Sequence, residues 1–461
     1  MRLVWFRNDL RLDDNPALHA AVESGGPVVL LYILDERAGA ASRWWLHHSL
    51  TALARDIGAR GGQLILRRGD PVDIITKLTK DYGVIAVHAT RAYEPFWRET
   101  DQRLDAALKP LGCALYRHLS TSLFPPERIT TKTGNLFGVY TPFSKACFEA
   151  GVPAGHLPAP ARLEATEAAG DDLAAWRLLP TQPDWAGGLR AEWTPGEAGA
   201  KVRLDAFLAD PIQDYDKARD IPARSGTSKL APHIHFGEIS PRQLWHKALA
   251  LGDGNGVKTF LKELLWREFS LSQLWQHPTL RKRPIREEFS AFDWHDNKTH
   301  LAAWQQGMTG VPIIDAGMRE LWQTGWMHNR VRMICASYLV KHLLIPWQAG
   351  EQWFWDTLCE ADEAANGASW QWVAGCGADA APYFRIFNPV LQGQKFDPDG
   401  VYVRRFVPEL ANFPTPYIHA PWDAPDLLLA QFNYPPPLIR PADGRQAALA
   451  AYAKMQDTAR R

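Results

Sequence analysis

The stretch from Asp315 to Pro389 decides the fold of this chain. It opens with DAGMRELWQTGWMHNRVRM (315–333) and closes with ADEAANGASWQWVAGCGADAAPYFRIFNP (361–389). After Asn329, apolar side chains recur at intervals of three and four residues, at Val331, Ile334, Cys335, Tyr338 and Leu339. That spacing is typical of a helix buried along one side. The stretch therefore predicts three helices, each with two distinct faces.

Polar residues in the last of these predicted helices are spaced so that they share a face. Asp362, Asn366 and Trp370 follow one another at intervals of four, whereas Trp372 points about 200° round the helix from Trp370. A carboxylate and an amide beside buried aromatic rings need hydrogen-bond partners, because unpaired polar groups are costly in a core. Two interpretations stay open: a flat heteroaromatic ligand with hydrogen-bonding edges, or a helical core that carries some polar groups.

Length and composition limit the class of protein. The 461 residues predict two or three domains, and 46% hydrophobic and 22% charged residues are ordinary for a soluble protein. The net charge is zero, so any nucleic-acid surface must be a local patch. Five cysteines without a CxxC pair argue against a disulfide framework and against zinc, and fit a reducing cytoplasm. Neither a signal peptide nor a membrane span is predicted. The 20 tryptophans suit either a Trp-rich core or redox and stacking roles.

Residues 1–125 alternate between strand and helix patterns. Strands are predicted at 3–6, 28–34, 64–66, 84–87 and 114–116, and helices at 16–24, 42–58, 71–82 and 95–108. Short apolar strands separated by helices are typical of βαβ units with a buried parallel sheet. The first strand leads into WFRNDLRLDDNPAL rather than GxGxxG, so the nicotinamide-dinucleotide fingerprint is absent. A nucleotide or small aromatic could still bind at the carboxyl edge of the sheet.

The rest of the chain predicts a connector followed by helices. Residues 150–200 are rich in Ala, Pro and Gly and predict an ordered-to-loose connector running over the surface. From residue 200 onward the patterns predict helices almost exclusively. The proline-rich tail, 411–440, predicts a segment that wraps around them.

Lys262–Trp275 (KELLWREFSLSQLW) is a candidate binding segment. At helical spacing, Glu263, Trp266, Arg267 and Ser270 line one face. A glutamate one turn from a tryptophan suits a stacked base, because the ring covers the π-face while the carboxyl addresses a polar edge. The alternative is a surface salt bridge beside a core tryptophan.

Two further sets of residues are ambiguous on their own. In YDKARDIPARSGTSKL (215–230), Gly226, Thr227 and Ser228 offer N–H groups and hydroxyls that suit either a phosphate or an ordinary N-cap. A basic set suits either a solvated face or a site for single-stranded DNA or a flipped base, and comprises Arg281, Lys282, Arg283 and Arg286, with Arg330, Arg404 and Arg405 elsewhere. His233 and His235 lack a third ligand, so no metal site is predicted.

Together these motifs resemble the photolyase/cryptochrome flavoproteins and, within them, the bacterial cyclobutane pyrimidine dimer photolyases. The resemblance rests on four motifs that occur in the family's order: WFRNDLRLDDNPAL, ELLWREF, GWMHNRVRM and DAAPYFRIFNPVLQGQKFDPDG. It covers residues 1–150 and about 200–425. It implies an α/β plus all-α fold. An N-terminal parallel, Rossmann-like antenna domain (1–130) would precede an interdomain connector (131–199) and an all-helical FAD-binding catalytic domain (200–461).

The resemblance also implies site residues. A bent FAD, with its pyrophosphate near Thr227 and Ser228, would be contacted by Tyr215, Thr227, Ser228, Lys229, Leu230, Glu263, Arg267, Asn329, Arg332, Asp362 and Asn366. The DNA lesion would be contacted by Glu263, Trp266, Asn329, Arg330, Met333 and Trp372. An electron relay from flavin to surface would run through Trp370, Trp347 and Trp294, which with Glu263 and Asn366 form the implied catalytic set.

The implied function is light-driven repair of UV-damaged DNA, in which excited reduced FAD (FADH⁻) passes an electron to a flipped-out pyrimidine dimer. Asn366 favours repair over signalling, because plant cryptochromes typically carry aspartate at the matching position. Met333 favours cyclobutane dimers, because photolyases for the six-four photoproduct carry a histidine acid there. A cryptochrome-like blue-light photoreceptor without repair turnover is the alternative.

Further expectations concern the second pigment, the surroundings and three departures from the family. Methenyltetrahydrofolate is the expected antenna and a deazaflavin the alternative, with Glu94 nearby, although SRWWLHHSL (42–50) departs from well-known bacterial enzymes. A cytoplasmic monomer without a membrane partner is expected. Glu360 replaces the usual aspartate partner of Arg332, Ala231 a frequent serine, and Gly367 a common second asparagine. These changes are expected to shift flavin affinity without abolishing it.

Overall fold

The computed structural model describes residues 1–164, 166, 168–380 and 384–460. The chain divides into two compact units: the first comprises Met1–Gln213 and Ser228–Pro278, and the second Asp214–Thr227 and Thr279–Arg461. The α-helices, in chain order, are α1 (Pro16–Glu23), α2 (Ala40–Gly58), α3 (Pro71–Tyr82), α4 (Pro95–Leu108), α5 (Tyr140–Ala150), α6 (Gly187–Glu192), α7 (Glu197–Ala209), α8 (Tyr215–Ala218), α9 (Ala231–His235), α10 (Pro241–Leu249), α11 (Asn255–Gln276), α12 (Lys298–Gln305), α13 (Pro312–Thr324), α14 (Asn329–Lys341), α15 (Trp347–Thr357), α16 (Glu363–Ala374), α17 (Pro389–Phe396), α18 (Val401–Phe406), α19 (Asp426–Leu429) and α20 (Pro441–Arg460). None of the described helices is long and apolar enough to cross a membrane.

A parallel sheet forms the core of the first unit. Its strands are β1 (Arg2–Phe6), β2 (Val28–Ile33), β3 (Leu64–Arg67), β4 (Ala86–Thr90) and β5 (Ala114–His118). They lie in the order β3-β2-β1-β4-β5, and Trp5 pairs with Leu31 on one side and with Ala89 on the other. The order reverses between β1 and β4, as in doubly wound folds. The predicted parallel α/β region is confirmed, with β4 beginning two residues later than predicted.

The sequence specifies these elements locally. Every residue of β2 is buried, which explains its continuous apolar run without polar alternation, and every residue of β4 is buried as well. Asn15 and Asp70 cap α1 and α3, and each cap is followed by proline, which fits the first helical position.

The described part of the connector is anchored to the α/β region. Trp176 and Leu189 are buried, and Ala168 packs into the core of the sheet. Its backbone also bonds to the α/β region, since Leu163 N donates to Arg60 O at 2.7 Å and Asp171 N to Leu66 O at 2.8 Å. This part of the connector therefore lies at the ordered end of the predicted ordered-to-loose range, because single anchoring side chains are concealed in an average over Ala, Pro and Gly. Residues 165 and 167 of this segment lie outside the described residues.

The second unit is helical, as predicted. Its core contains Trp304, Trp347 and Trp370, each at most 2% exposed. The predicted apolar stripe of α14 is confirmed, because Val331, Ile334, Cys335, Tyr338 and Leu339 are all buried. Residues 381–383 of the DAAPYFRIFNP motif lie outside the described residues.

The proline-rich tail packs against the start of α13. Tyr434 donates its hydroxyl hydrogen to the buried Asp315 carboxylate, and Leu438 N donates to Thr309 O at 2.9 Å. A Cβ atom at Gly310 would lie 2.2 Å from Pro436 O, so only glycine allows this approach. The predicted wrapping of the helices by the tail is therefore confirmed.

Candidate functional site

The predicted site residues of the first unit lie on α11 and just before α9. Glu263, Trp266 and Arg267 are all half-buried on α11, as their helical spacing predicts. Arg267 Nη1 donates to Thr121 O at 2.5 Å. The next residue, Glu268, is fully buried and accepts from Phe124 N at 3.2 Å. Burial raises the pKa of Glu268 to about 7.

Tyr140 supports Trp266. The two rings are stacked with centroids 3.6 Å apart and an interplanar angle of 5°, and Tyr140 Oη donates to Lys262 O at 2.6 Å. Phe269 packs edge-on against both rings. One face of the Trp266 indole is therefore covered by protein. Sequence reasoning missed Tyr140, because nothing in the local pattern at 140 indicates a partner on α11.

The predicted phosphate segment spans the two units. In the first, Ser228 Oγ accepts from Leu230 N at 3.4 Å, and Leu230 is buried. Lys229 has a left-handed backbone with φ of 48°, and its Nζ donates to Glu192 Oε1 at 2.8 Å. In the second unit, Tyr215 is buried at the start of α8, with the Arg219 guanidinium 5.5 Å from its ring centroid, and Thr227 is half-buried.

The beginning of α14 carries four of the predicted residues: Asn329, Arg330, Arg332 and Met333. His328 caps the helix by accepting from Arg330 N at 3.2 Å. Burial lowers the pKa of His328 to about 4, so the imidazole is neutral near pH 7. Asn329 is exposed, and Arg330 Nη2 donates to Asp220 Oδ1 at 2.8 Å. Arg332 Nε donates to Met327 O at 2.6 Å, while its Nη2 pairs with Glu360. The expected pairing of Arg332 with residue 360 is thus present.

Asp362 and Asn366 have different structural roles. Asp362 is the N-cap of α16 and accepts from Ala365 N at 2.7 Å. Asn366 is buried, and its Nδ2 donates to Glu351 O at 3.0 Å and to Glu351 Oε1 at 2.8 Å. Trp372 is half-buried, and its Nε1 donates to Asp379 O at 3.0 Å, which fixes the indole ring.

The basic residues predicted to contact phosphates divide into engaged and exposed ones. Arg281 is paired with Glu351, and Arg286 donates to Gly375 O at 3.1 Å and to Glu288 Oε1 at 2.9 Å. Contact of the 281–286 residues with phosphates stays a prediction, and two of these side chains, Arg281 and Arg286, are already engaged by protein groups. Their partners, Glu351 and the end of α16, are distant in sequence and invisible to a local charge count. Lys282 and Arg283 are exposed.

The predicted relay tryptophans lie in three settings. Trp370 is buried, with its ring centroid 5.0 Å from Phe354 and 6.2 Å from Trp304. Trp347 is also buried, at the start of α15. Trp294 is half-buried, with its centroid 4.3 Å from that of Phe292. No local pattern indicates that Trp304 lies against Trp370, because the two residues are far apart in the chain.

Two side chains near the start of α16, Glu360 and Asn366, each have an oxygen that accepts from no donor among the described residues. Glu360 Oε2 is buried and accepts no hydrogen bond. Asn366 Oδ1 also accepts none, since the amide's bonds all run from Nδ2 to Glu351. A buried unsatisfied acceptor such as Glu360 Oε2 costs about 1–3 kcal/mol. A ligand whose ring carries N–H groups would remove that cost, so these residues fit an isoalloxazine.

Sequence comparisons identify the family. The family model described as DNA photolyase matches residues 2–161, and the one described as the FAD binding domain of DNA photolyase matches residues 260–454. A deoxyribodipyrimidine photo-lyase from Agrobacterium fabrum is 47% identical over 99% of this chain and 98% of its own length. The chain belongs to the DNA photolyase family.

Other members of the DNA photolyase family show the same fold. The crystal structure of a bacterial class III photolyase from Agrobacterium tumefaciens matches with a TM-score of 0.96 and 47% identity, covering 99% of this chain and 97% of that one. Cryptochrome-1 from Arabidopsis thaliana is 36% identical over 95% of this chain and 68% of its own length. The predicted fold class, the enzyme class of deoxyribodipyrimidine photo-lyases and a FAD-binding domain are confirmed.

The 42–50 stretch and Glu94, which bear on the expected second pigment, lie in the α/β region of the first unit. The 42–50 stretch lies within α2, where Trp44 and Trp45 are buried and Trp45 Nε1 donates to Glu238 Oε1 at 2.9 Å. Glu94 precedes α4 and accepts from Tyr93 N at 3.0 Å. Glu94 as a pigment contact stays a prediction.

Proposed function

We propose that this protein uses light to split cyclobutane pyrimidine dimers in DNA, with reduced FAD as its cofactor. The observation that supports this lesion class is Met333. Its Sδ lies 3.9 Å from Arg330 Nη1 on the first turns of α14, and a thioether has no proton to donate. The family's six-four enzymes require a histidine acid at this position. Met333 therefore suits a lesion that is split by electron transfer without an acid at this point.

Trp266 and Trp372 are proposed to hold the dimer once it has left the duplex; photolyases are among the enzymes known to act on an extruded base. Tyr140 covers one face of Trp266, so the opposite indole face is the one open to a base. The bond from Trp372 Nε1 to Asp379 O orients the second ring. Base–aromatic stacking contributes about 1–3 kcal/mol per base.

Glu263, in its protonated form, is proposed to donate a hydrogen bond to a carbonyl oxygen of the dimer. It is half-buried one turn before Trp266 on α11, so a base stacked on that indole would bring its polar edge near the carboxyl. Asn329 and Arg330 are proposed to complete the lesion contacts. The donated hydrogen bond would stabilise negative charge that develops on the dimer.

The flavin contacts are proposed as Tyr215, Thr227, Ser228, Lys229, Leu230, Glu263, Arg267, Asn329, Arg332, Asp362 and Asn366. Reduced FAD, when bound, supplies the electron that splits the dimer and regains it afterwards. Glu360 Oε2 and Asn366 Oδ1 support this assignment, because both are acceptors without a protein donor among the described residues.

Trp370, Trp347 and Trp294 are proposed to carry electrons to oxidised flavin. Their replacement should stop photoreduction of the flavin without stopping repair by chemically reduced protein.

We further propose a cytoplasmic monomer that binds methenyltetrahydrofolate as antenna, with a deazaflavin as the alternative pigment. Absorption spectra of the purified protein distinguish the two pigments.

The test uses two DNA oligonucleotides, one with a single cyclobutane thymine dimer and one with a six-four photoproduct. Chemically reduced holoprotein is illuminated with each, and restored thymines are counted by chromatography. Restoration is expected for the dimer alone and in the light alone. Glu263→Ala should lower the yield per absorbed photon at unchanged FAD content, while Glu263→Gln, which keeps an N–H donor, should lie between the two.

Failure to restore thymines in the light, by protein that holds FAD and binds the lesion, would contradict the proposal. It would favour the cryptochrome-like photoreceptor. Restoration of the six-four photoproduct would reject the argument from Met333.

A further inference from the structure

We propose that Arg281 is a positioning residue that fixes the amide orientation of Asn366 through Glu351. The proposal rests on the proposed function in one respect, because it takes Asn366 to face the flavin. Otherwise it depends only on contacts within the second unit.

Glu351 determines which way the Asn366 amide points. Asn366 Nδ2 donates to Glu351 O at 3.0 Å and to Glu351 Oε1 at 2.8 Å. An asparagine amide has two N–H donors and one carbonyl acceptor. If the amide were rotated by half a turn, Oδ1 would face two acceptor oxygens of Glu351 with no hydrogen between them. The Glu351 carboxylate therefore permits only the orientation in which Oδ1 points away from it.

Arg281 provides the charge that this arrangement requires. Its Nε and Nη2 donate to Glu351 Oε1 and Oε2, at 2.5 and 3.2 Å. The Glu351 side chain is only 4% exposed, and the Arg281 guanidinium lies 3.6 Å from the Trp355 ring centroid. A buried carboxylate that lacks a cation favours its protonated form. A protonated Glu351 could donate to Asn366 Oδ1, and the amide would then be free to take either orientation.

Gly367 leaves the space that Arg281 occupies. A Cβ atom at position 367 would lie 3.2 Å from Arg281 Cγ and 3.3 Å from Leu280 Cγ, closer than ordinary van der Waals contact. A side chain at 367 would therefore require the Arg281 stem to shift by a few tenths of an ångström. The sequence departs from the family at this position, where a second asparagine is common, and here glycine lets the Arg281 stem pack directly against α16.

The orientation of the Asn366 amide determines whether the protein presents a hydrogen-bond acceptor or a donor to the flavin. With Nδ2 held by Glu351, Asn366 presents a hydrogen-bond acceptor; a rotated amide would present a donor. An acceptor favours a protonated ring nitrogen and a donor an unprotonated one. Arg281 should therefore influence the redox behaviour of the flavin without touching it.

The test compares purified holoproteins: wild type, Arg281→Met, Arg281→Lys and Lys282→Met. FAD content, the flavin midpoint potential and the rate of dark reoxidation in air are measured after photoreduction. Arg281→Met is expected to keep FAD and to change the dark reoxidation rate by about tenfold, the effect of one hydrogen bond to a charged group. Arg281→Lys should return the rate towards that of wild type. Lys282→Met removes an exposed neighbouring cation and should leave rate and potential unchanged.

A wild-type rate and potential in Arg281→Met would overturn the proposal, and so would an equal change in Lys282→Met, because the effect would then be one of net charge. If Arg281→Met yields no holoprotein, Gly367→Asn provides the same test by displacing the Arg281 stem while retaining its charge. Glu351→Gln, which removes the carboxylate itself, is then prepared as the reference. Gly367→Asn should shift rate and potential in the same direction as Glu351→Gln, and unchanged values in Gly367→Asn would overturn the proposal.

Repair of a thymine dimer is assayed on the same preparations after chemical reduction. If wild type fails to repair but its flavin responds to Arg281→Met, the proposed function fails and the positioning role stands. If wild type repairs and the flavin does not respond, the positioning role fails and the proposed function stands.

Discussion

The edge of the sheet in the first unit and helices α14–α16 in the second both bury charged side chains, but they use their acceptors differently. After β1, Asp9 accepts from Arg7 N at 2.8 Å, from Thr90 Oγ1 at 2.5 Å and from Asn15 Nδ2 at 3.2 Å. Asp101 accepts twice from Arg7. In the helical unit, Glu360 Oε2 and Asn366 Oδ1 accept from no described residue.

This difference distinguishes carboxylates that stabilise the fold from acceptors that are available to a ligand. Carboxylates whose oxygens are all engaged by protein donors stabilise the fold and leave nothing for a ligand. An acceptor left open can receive a hydrogen bond from a ligand, and a buried one such as Glu360 Oε2 reduces stability until a donor is supplied. Changes at the sheet edge should therefore affect unfolding, whereas changes beside α14 and α16 should affect the flavin.

The largest expected effect is on stability, from Asp101→Asn. The Arg7–Asp101 pair is buried, with both side chains only 3% exposed, so the change leaves Arg7 with a weakened partner inside the protein. We expect a loss of up to about 3–5 kcal/mol in the free energy of unfolding, measured by denaturant titration. Asp105→Asn, on the exposed side of the same helix, should stay within about 0.5 kcal/mol of wild type. Equal effects of the two changes would contradict the structural role of the pair.

The next effect is on flavin affinity, from Glu360→Gln. Arg332 Nη2 donates to Glu360 Oε1, so the glutamine carbonyl should remain there and its NH₂ should replace the open Oε2. A ligand N–H would then meet a donor, and FAD should bind about tenfold more weakly in a titration of flavin-free protein. Asp423→Asn, an exposed carboxylate in the same unit, is the control. If Glu360→Gln bound FAD as tightly as wild type, the open acceptor at Glu360 would have no role in flavin binding, and the contrast with the sheet edge would fail.

A smaller effect is expected for lesion binding from Tyr140→Ala. Loss of the stacked ring leaves Trp266 without its support, and aromatic pairs contribute about 0.5–1.5 kcal/mol beyond their buried area. Affinity for dimer-containing DNA, measured by gel shift, should fall accordingly. Tyr140→Phe keeps the ring and loses only the bond to Lys262 O, so its affinity should be close to wild type. A normal affinity in Tyr140→Ala would show that Trp266 needs no support.

The smallest expected effect is on the salt dependence of the affinity for DNA. Lys282 and Arg283 are exposed, whereas Arg281 is already paired with Glu351. Replacing either exposed residue by alanine should reduce the slope of log affinity against log salt by about one unit. Arg281→Met should leave that slope unchanged. If only Arg281→Met changed the slope, the phosphate contact would belong to Arg281 and not to Lys282 or Arg283.

Local sequence patterns predicted the secondary structure and the buried faces of helices. The strands, the buried stripe of α14 and the shared face of Glu263, Trp266 and Arg267 follow from periodicity, because period and burial are properties of neighbouring residues. The Tyr140–Trp266 stack and the Arg281–Glu351 pair could not be predicted in this way. Each joins residues far apart in the chain, and a local pattern shows which face is buried but not what lies against it. The resemblance named Asn366, yet it did not reveal the carboxylate that orients it.

The central claim is that the helical unit leaves acceptors open for a flavin, and the FAD content of the protein tests it most directly. The purified protein, and protein unfolded and refolded with added FAD, are denatured and the released flavin is quantified by absorbance. The account predicts a yellow protein with close to one FAD per chain. A folded, colourless protein that takes up no FAD on refolding would contradict it.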